Sequence, residues 1–142
     1  MSGFLLDTNI PSELIRSQPE PKVQAWVFSQ DEQTLFLSAI TIGELRRGFT
    51  LLQARSRRSQ LERWLETILI PRFSGRVLPI THRIADCWGV LDAQRQLKGR
   101  PLNTADGLIA ATALEHDLTL VTRNMRDFVG LDVKLLNPWE IP

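Results

Sequence analysis

A chain of 142 residues is most simply one domain spanning 1–142, and it is long enough to bury a sizeable core. Its 43% hydrophobic and 23% charged content argues against disorder, and the net charge of +1 conceals a bias, because only Lys22, Lys98 and Lys134 of 17 basic residues are lysines. The cationic surface is therefore nearly all arginine, which suits phosphate or carboxylate partners without demanding either. A single cysteine, Cys87, excludes an internal disulfide and a cysteine-built zinc site and fits a reducing, cytoplasmic setting. The opening MSGFLLDTN has no basic n-region and its apolar stretch is interrupted by Asp7, so neither a signal peptide nor a membrane span is expected.

Phe4, Leu5 and Leu6 form a continuous apolar run that stops at Asp7-Thr8-Asn9, with Pro11 close behind. Such a run suits a parallel strand covered on both faces, although so short a run could also open a buried helix. Ligands of open parallel sheets bind beyond the carboxyl ends of the strands, where Asp7 would then stand. Asp7 and Asn9 could equally do no more than close an Asx-turn. Residues 12–16 follow as a short helix, broken by SQPEPK, and Pro21 opens a second helix carrying Val23, Trp26 and Val27 and ending near Gln30. Residues 34–38 read as a strand. Thr41 and Glu44 have capping-box spacing at the start of a helix whose apolar face is Leu45, Phe49 and Leu52.

Residues 55–69 make a second helical pattern, completing a hairpin that Pro71 and Gly75 break. Residues 77–80 are a brief extended segment, and Thr81 starts a long helix using Ile84, Ala85, Trp88 and Leu91 until Gly99 and Pro101 stop it. The small residues of 104–116 suit a helix packed closely on a sheet. Residues 118–122 are the clearest strand, 123–128 a turn or short helix, and 133–136 a last strand before Asn137-Pro138-Trp139. Strands alternating with helices predict an α/β sandwich with a mainly parallel sheet.

Four acids recur beside these strands and helix starts: Asp7, Glu44, Asp106 and Asp127. Converging carboxylates repel, so a cluster of them calls for a cation or for protonation. Oxygen donors without histidine or cysteine suit Mg²⁺ or Mn²⁺ rather than Zn²⁺. Against this stands ordinary helix capping: Glu44 lies three residues after Thr41, Asp106 three after Asn103 and Asp127 three after Asn124.

The chain resembles the PIN-domain ribonucleases, and among them the VapC toxins with their FitB-like branch. The resemblance is carried by LLDTNI (5–10), LSAITIGELRRG (37–48), NTADGLIAATALEHDLTLVTRN (103–124), RDF (126–128) and NPW (137–139), in family order and spacing over nearly the whole chain. It implies an α/β/α PIN fold and a metal-dependent endoribonuclease acting as the toxin of a type II, VapBC-like pair. It places the acidic positions on Asp7, Glu44 and Asp106. At the fourth, some members carry aspartate directly after the Thr-Arg pair, where this chain has Asn124 and only later Asp127. Asn124 could offer a neutral carbonyl oxygen to a metal and Asp127 the charge.

The resemblance implies Mg²⁺, with Mn²⁺ possible, held by Asp7 and Asp106 with Glu44 directly or through water. Thr8, Asn9 and Thr122 are supporting polar groups on the substrate side. Arg46 and Arg47, with Arg55, Arg57 and Arg58, could rim the RNA or merely solvate a helix face. It further implies a homodimer and a hetero-oligomer with a VapB-like antitoxin, and no membrane partner. His82 and His116 lie outside the motifs, and Trp26, Trp64 and Trp88 fall on apolar helix faces as core or interface. A haloacid-dehalogenase-type phosphatase would need aspartate at Asn9, and a signalling receiver would need a lysine after 118–122; neither is present. The remaining alternative is a catalytically inactive PIN-like module that binds RNA or protein.

Overall fold

The computed structural model describes residues 2–142. β1 (Phe4–Leu6) leads through α1 (Asn9–Leu14) and α2 (Pro21–Ser29) to β2 (Leu35–Ser38) and α3 (Ala39–Thr50). A helical stretch follows, α4 (Arg55–Trp64), a wide π-type turn (Leu65–Leu69) and α5 (Ile70–Arg72), and then β3 (Val77–Leu78). The last third comprises α6 (His82–Leu97), α7 (Thr104–Glu115), β4 (Thr119–Val121), α8 (Met125–Phe128) and β5 (Leu135–Leu136). The sheet has the order β3-β2-β1-β4-β5, and every pairing is parallel, with Leu5 opposite both Phe36 and Leu120.

Strands this short hold because both faces are buried. Leu5 and Leu120 enter one core with Ile84, Ile109 and Ala110, whereas Leu6 and Val121 enter the other with Ile10, Val27, Leu45, Leu65 and Phe73. Period-two alternation thus feeds two apolar layers at once, which explains why the sequence shows a continuous apolar run. Each fully buried leucine in these layers contributes about 1.5–3 kcal/mol of transfer free energy.

Three boundaries differ from the sequence reading, each for a local reason. The first helix starts at Asn9 rather than Ser12, with Pro11 in its first turn, where a missing N–H costs no hydrogen bond. The third is not opened by a Thr41–Glu44 capping box. Ser38, at the strand end, caps it by accepting from the Ile40 N–H at 3.0 Å, and Thr41 lies inside the helix, fully buried. Nor does Pro71 break the hairpin. The Ile70 N–H reaches back to the Leu65 carbonyl in the wide turn, the chain stays helical to Arg72, and Gly75 at φ +78° ends it.

Candidate active site

Asp7 leaves the sheet at the end of β1, its N–H donating to the Val121 carbonyl at 2.9 Å. Asp7 is only 3% exposed, and its carboxyl is held by donors from three residues. The Thr8 N–H donates to Oδ1 at 2.8 Å, and the Thr122 hydroxyl and Asn9 Nδ2 donate to Oδ2 at 2.7 and 3.4 Å. Burial pushes this carboxyl above its ordinary range, against the lowering effect of the Thr122 and Thr8 bonds, and the charges of Glu44 and Asp127 push it further up.

Glu44 faces the same place from α3. Its Oε1 accepts from the Thr8 hydroxyl at 2.6 Å, and that hydroxyl stands 3.0 Å from the hydroxyl of Thr41. Thr8 spends its one proton on Glu44, so Thr41 is the donor of the second bond. Glu44 is therefore a carboxylate oriented across elements rather than a helix cap.

Asp106 lies in the first turn of α7, where Asn103 caps the helix by accepting from the Ala105 and Asp106 N–H groups at 2.9 and 3.3 Å. The cap is the asparagine, which leaves the Asp106 carboxyl to the groove. Its pKa is pushed up to about 6, first by burial and then by the charges of Asp7, Glu44 and Asp127. Asp127 and Asn124 are both exposed on the short turn after β4. Asp127 is near enough to raise Asp7 and Asp106, while the Asn124 N–H donates to the Thr122 hydroxyl at 3.0 Å. Glu44 and Asp127 thus bear on both Asp7 and Asp106, and among the described residues none of the four acids is ion-paired with an arginine or lysine.

Among the described residues no three histidine, cysteine, aspartate or glutamate side chains stand close enough together to hold a metal ion. The donors are carboxyl, amide and hydroxyl oxygens around an open groove, a set that fits a hard divalent ion retaining several waters. The uncompensated mutual repulsion of the acids is what such an ion would relieve. The apolar cavity of about 150 Å³ between Leu6, Leu14, Trp64 and Phe73 contains none of these acids and is separate from the groove.

Other expected residues are placed differently. Arg46 is engaged by Glu62 and Glu66 at 3.4 and 2.6 Å across the helical hairpin, whereas Arg47 is exposed. Arg57 donates to the Ile15 carbonyl at 3.3 Å. Trp26 packs edge-on against Phe4 and Trp64 against Phe49, with ring centroids 5.0 and 6.3 Å apart. Sequence reasoning missed Arg95, a buried cation whose Nη1 donates to the Asp127 carbonyl at 3.1 Å and whose Nε donates to the Arg100 carbonyl at 2.8 Å. It ties the Asp127 turn to α6, and no local sequence signal distinguishes it from a surface arginine.

The fold and groove together define a class: an α/β/α domain with an all-parallel sheet and an acid-lined site at its carboxyl edge. The chain belongs to the PIN domain family, whose model matches residues 4–133. It is 41% identical to the toxin FitB of Neisseria gonorrhoeae, over 96% of this chain and 98% of that protein. It is 40% identical to a protein of Sinorhizobium fredii named as a VapC ribonuclease, over 96% and 98%. Among solved structures, the FitAcB crystal structure from Neisseria gonorrhoeae superposes with a TM-score of 0.91 at 40% identity, covering 97% of this chain and 99% of that one. Members of this family use divalent metal ions, in keeping with the oxygen donors of the groove.

Proposed function

We propose that residues 1–142 act as one PIN domain that hydrolyses RNA phosphodiester bonds internally, as the toxin of a type II, VapBC-like toxin–antitoxin pair. The observation that carries the reading is the pair Asp7 and Asp106, raised by burial and by the unpaired acids beside them at the carboxyl edge, in a chain so similar to FitB and a VapC ribonuclease. Asp7 and Asp106 are the principal ligands for Mg²⁺, with Mn²⁺ able to substitute, and Glu44 binds directly or through water. Asp127 supplies the fourth charge and Asn124 a neutral oxygen. When bound, such an ion activates a water and neutralises charge on the phosphate.

The chain's own residues do the positioning. Thr122 and Thr8 fix the two carboxyl oxygens of Asp7, and Thr8 also fixes Glu44, so the donors are set before substrate arrives. Asn9 braces the far side through Thr122, and Arg47 is a cation open to the RNA strand. The partner is a VapB-like antitoxin in a hetero-oligomer built on a toxin homodimer, in the cytoplasm; the similarity to the solved FitAcB and FitAB structures supports the antitoxin partner. Asn124 at the fourth position favours one other reading, a PIN module that binds RNA without cutting it.

The test is incubation of purified, antitoxin-free protein with total RNA in Mg²⁺, Mn²⁺ or EDTA, beside Asp106→Asn. Discrete fragments that need both the metal and Asp106 are expected. Intact RNA in every lane, from folded protein that still shifts labelled RNA in a gel, would favour the binding module instead.

A further inference from the structure

The acidic groove repels the strand it is proposed to cut, so the RNA must be held by a cation nearby that is not already committed. Arg46 is committed to Glu62 and Glu66, Arg95 to two carbonyls inside the fold, and Arg76 to carbonyls and Glu32. Arg123 differs from all three. It directly follows Thr122, whose hydroxyl holds Asp7, and it precedes Asn124. Its side chain is exposed, and among the described residues no carboxylate lies within ion-pair distance of it.

The backbone at this position is fixed from both directions. The Arg123 N–H donates to Asn9 Oδ1 at 3.4 Å, and its carbonyl accepts from Asn137 Nδ2 at 3.4 Å. Asn137 in turn caps the closing turn through the Trp139 N–H at 2.9 Å, which brings the indole under the arginine. The guanidinium lies 5.1 Å from the Trp139 ring centroid. A flexible cation is thereby seated over a half-buried aromatic ring, with less rotamer freedom left to lose on binding.

Arg123 and Trp139 line an open depression of about 420 Å³ together with Arg16, Pro19 and Glu20. Glu13 also borders it, but its charge is met by Arg16 at 3.2 Å and by the Glu20 N–H at 2.8 Å.

We propose that Arg123, seated over Trp139, grips a backbone phosphate of the RNA strand adjoining the acidic groove, and that Trp139 is the residue that positions it. The inference rests on the ribonuclease reading. A guanidinium fork suits a bidentate grip on phosphate, which an ammonium makes only as a point charge. Neither residue is needed to hold a metal ion, so the two roles are separable.

The test measures fluorescence anisotropy of a labelled 12-nucleotide single-stranded RNA of mixed sequence with Asp106→Asn protein in Mg²⁺, at several salt concentrations. Arg123→Ala in that background is expected to weaken binding about tenfold and to lower the salt slope by about 0.7, the loss of one phosphate contact on a single strand. Arg123→Lys is expected to keep the slope and recover only part of the affinity. Trp139→Leu is expected to weaken binding about threefold with the slope kept, and Trp139→Phe to restore it, since a ring rather than the indole is required.

Melting curves that match the parent exclude unfolding as the cause. Parental affinity and slope for Arg123→Ala overturn the inference, as does a variant that loses antitoxin capture while binding RNA normally. Wild-type protein that cuts total RNA while Arg123→Ala cuts it with unchanged KM overturns the inference alone. Wild-type protein that neither cuts nor binds RNA overturns the ribonuclease reading and the inference together.

Discussion

Thr122 carries more of the site than its size suggests. It is fully buried, donates to Asp7 Oδ2, and accepts from the Asn124 N–H and from Asn9 Nδ2, so one hydroxyl joins β1 to the turn after β4. Replacing it with valine keeps the shape and leaves a buried carboxyl short of a donor, at a cost of about 1–3 kcal/mol. Urea denaturation of Thr122→Val should show that loss, and a Mn²⁺ titration should show weaker binding; unchanged Mn²⁺ affinity would mean that Asp7 is oriented without Thr122. Asp106 gives a second prediction at this scale. Its folded pKa of about 6 lies above the ordinary 3.8, so between these values the folded form binds more proton than the unfolded form. This contribution favours folding most below the ordinary value and declines as pH rises toward the folded value; above it the penalty stays constant. In EDTA, the melting temperature of wild type minus that of Asp106→Asn should therefore fall from pH 4 to about pH 6 and then level off. A difference that rises across that window would contradict the raised pKa.

At the scale of elements, the crossing of α6 and α7 sets where Asp106 stands. A Cβ added at Gly107 would lie 2.7 Å from Trp88 Cδ1 and 2.9 Å from its Nε1, so the two helices meet with only a hydrogen atom's room between them. Trp88 Nε1 is buried there with no hydrogen-bond partner among the described residues, so close packing is achieved at the expense of one donor. Gly107→Ala must push α7 or the indole aside, costing about 1–3 kcal/mol as overpacking does. Because Asp106 is the preceding residue, RNA cleavage measured well below the melting transition should fall by more than tenfold. Wild-type cleavage by a destabilised Gly107→Ala would show that the crossing serves stability only. These elements also show what the sequence could reveal. Period and punctuation located nearly every helix and strand, and Asp7 and Asp106 were visible because each sits at an element boundary, whereas Glu44 was visible by its place shortly after the second strand although it lies inside α3. The Ser38 cap, the Thr41–Thr8–Glu44 chain and the Gly107–Trp88 contact were not, since each depends on pairs joined only by the fold. The same holds for Arg95, whose partners are carbonyls and leave no pattern in side-chain identity.

At the scale of the molecule, the strand order makes β1 the place where the winding reverses. The chain runs outward through β2 and β3 on one side, then returns to place β4 and β5 on the other. Side chains from β1, from the helix after β2 and from the turn after β4 therefore meet at one edge, where open parallel sheets form their ligand crevices. That convergence has an energetic consequence for the whole fold. Burial and the neighbouring acids raise Asp7 and Asp106 and so store repulsion in the metal-free protein, which marginal overall stability makes visible. Among the described residues the Asp106 carboxyl has no hydrogen-bond partner to lose, so Asp106→Asn removes repulsion and leaves the Asn103 cap in place. In EDTA at pH 7 the variant should melt above wild type. Mg²⁺ should then stabilise wild type by about 2.7 kcal/mol at a hundred times its Kd, because it binds only the folded chain, and should stabilise the variant far less. The order of the two melting temperatures should accordingly reverse as Mg²⁺ is added, read by scanning calorimetry of both proteins in parallel. Equal Mg²⁺ shifts in the two would place the ion away from Asp106, and a variant less stable than wild type in EDTA would show that the acids do not repel as their raised pKa values imply.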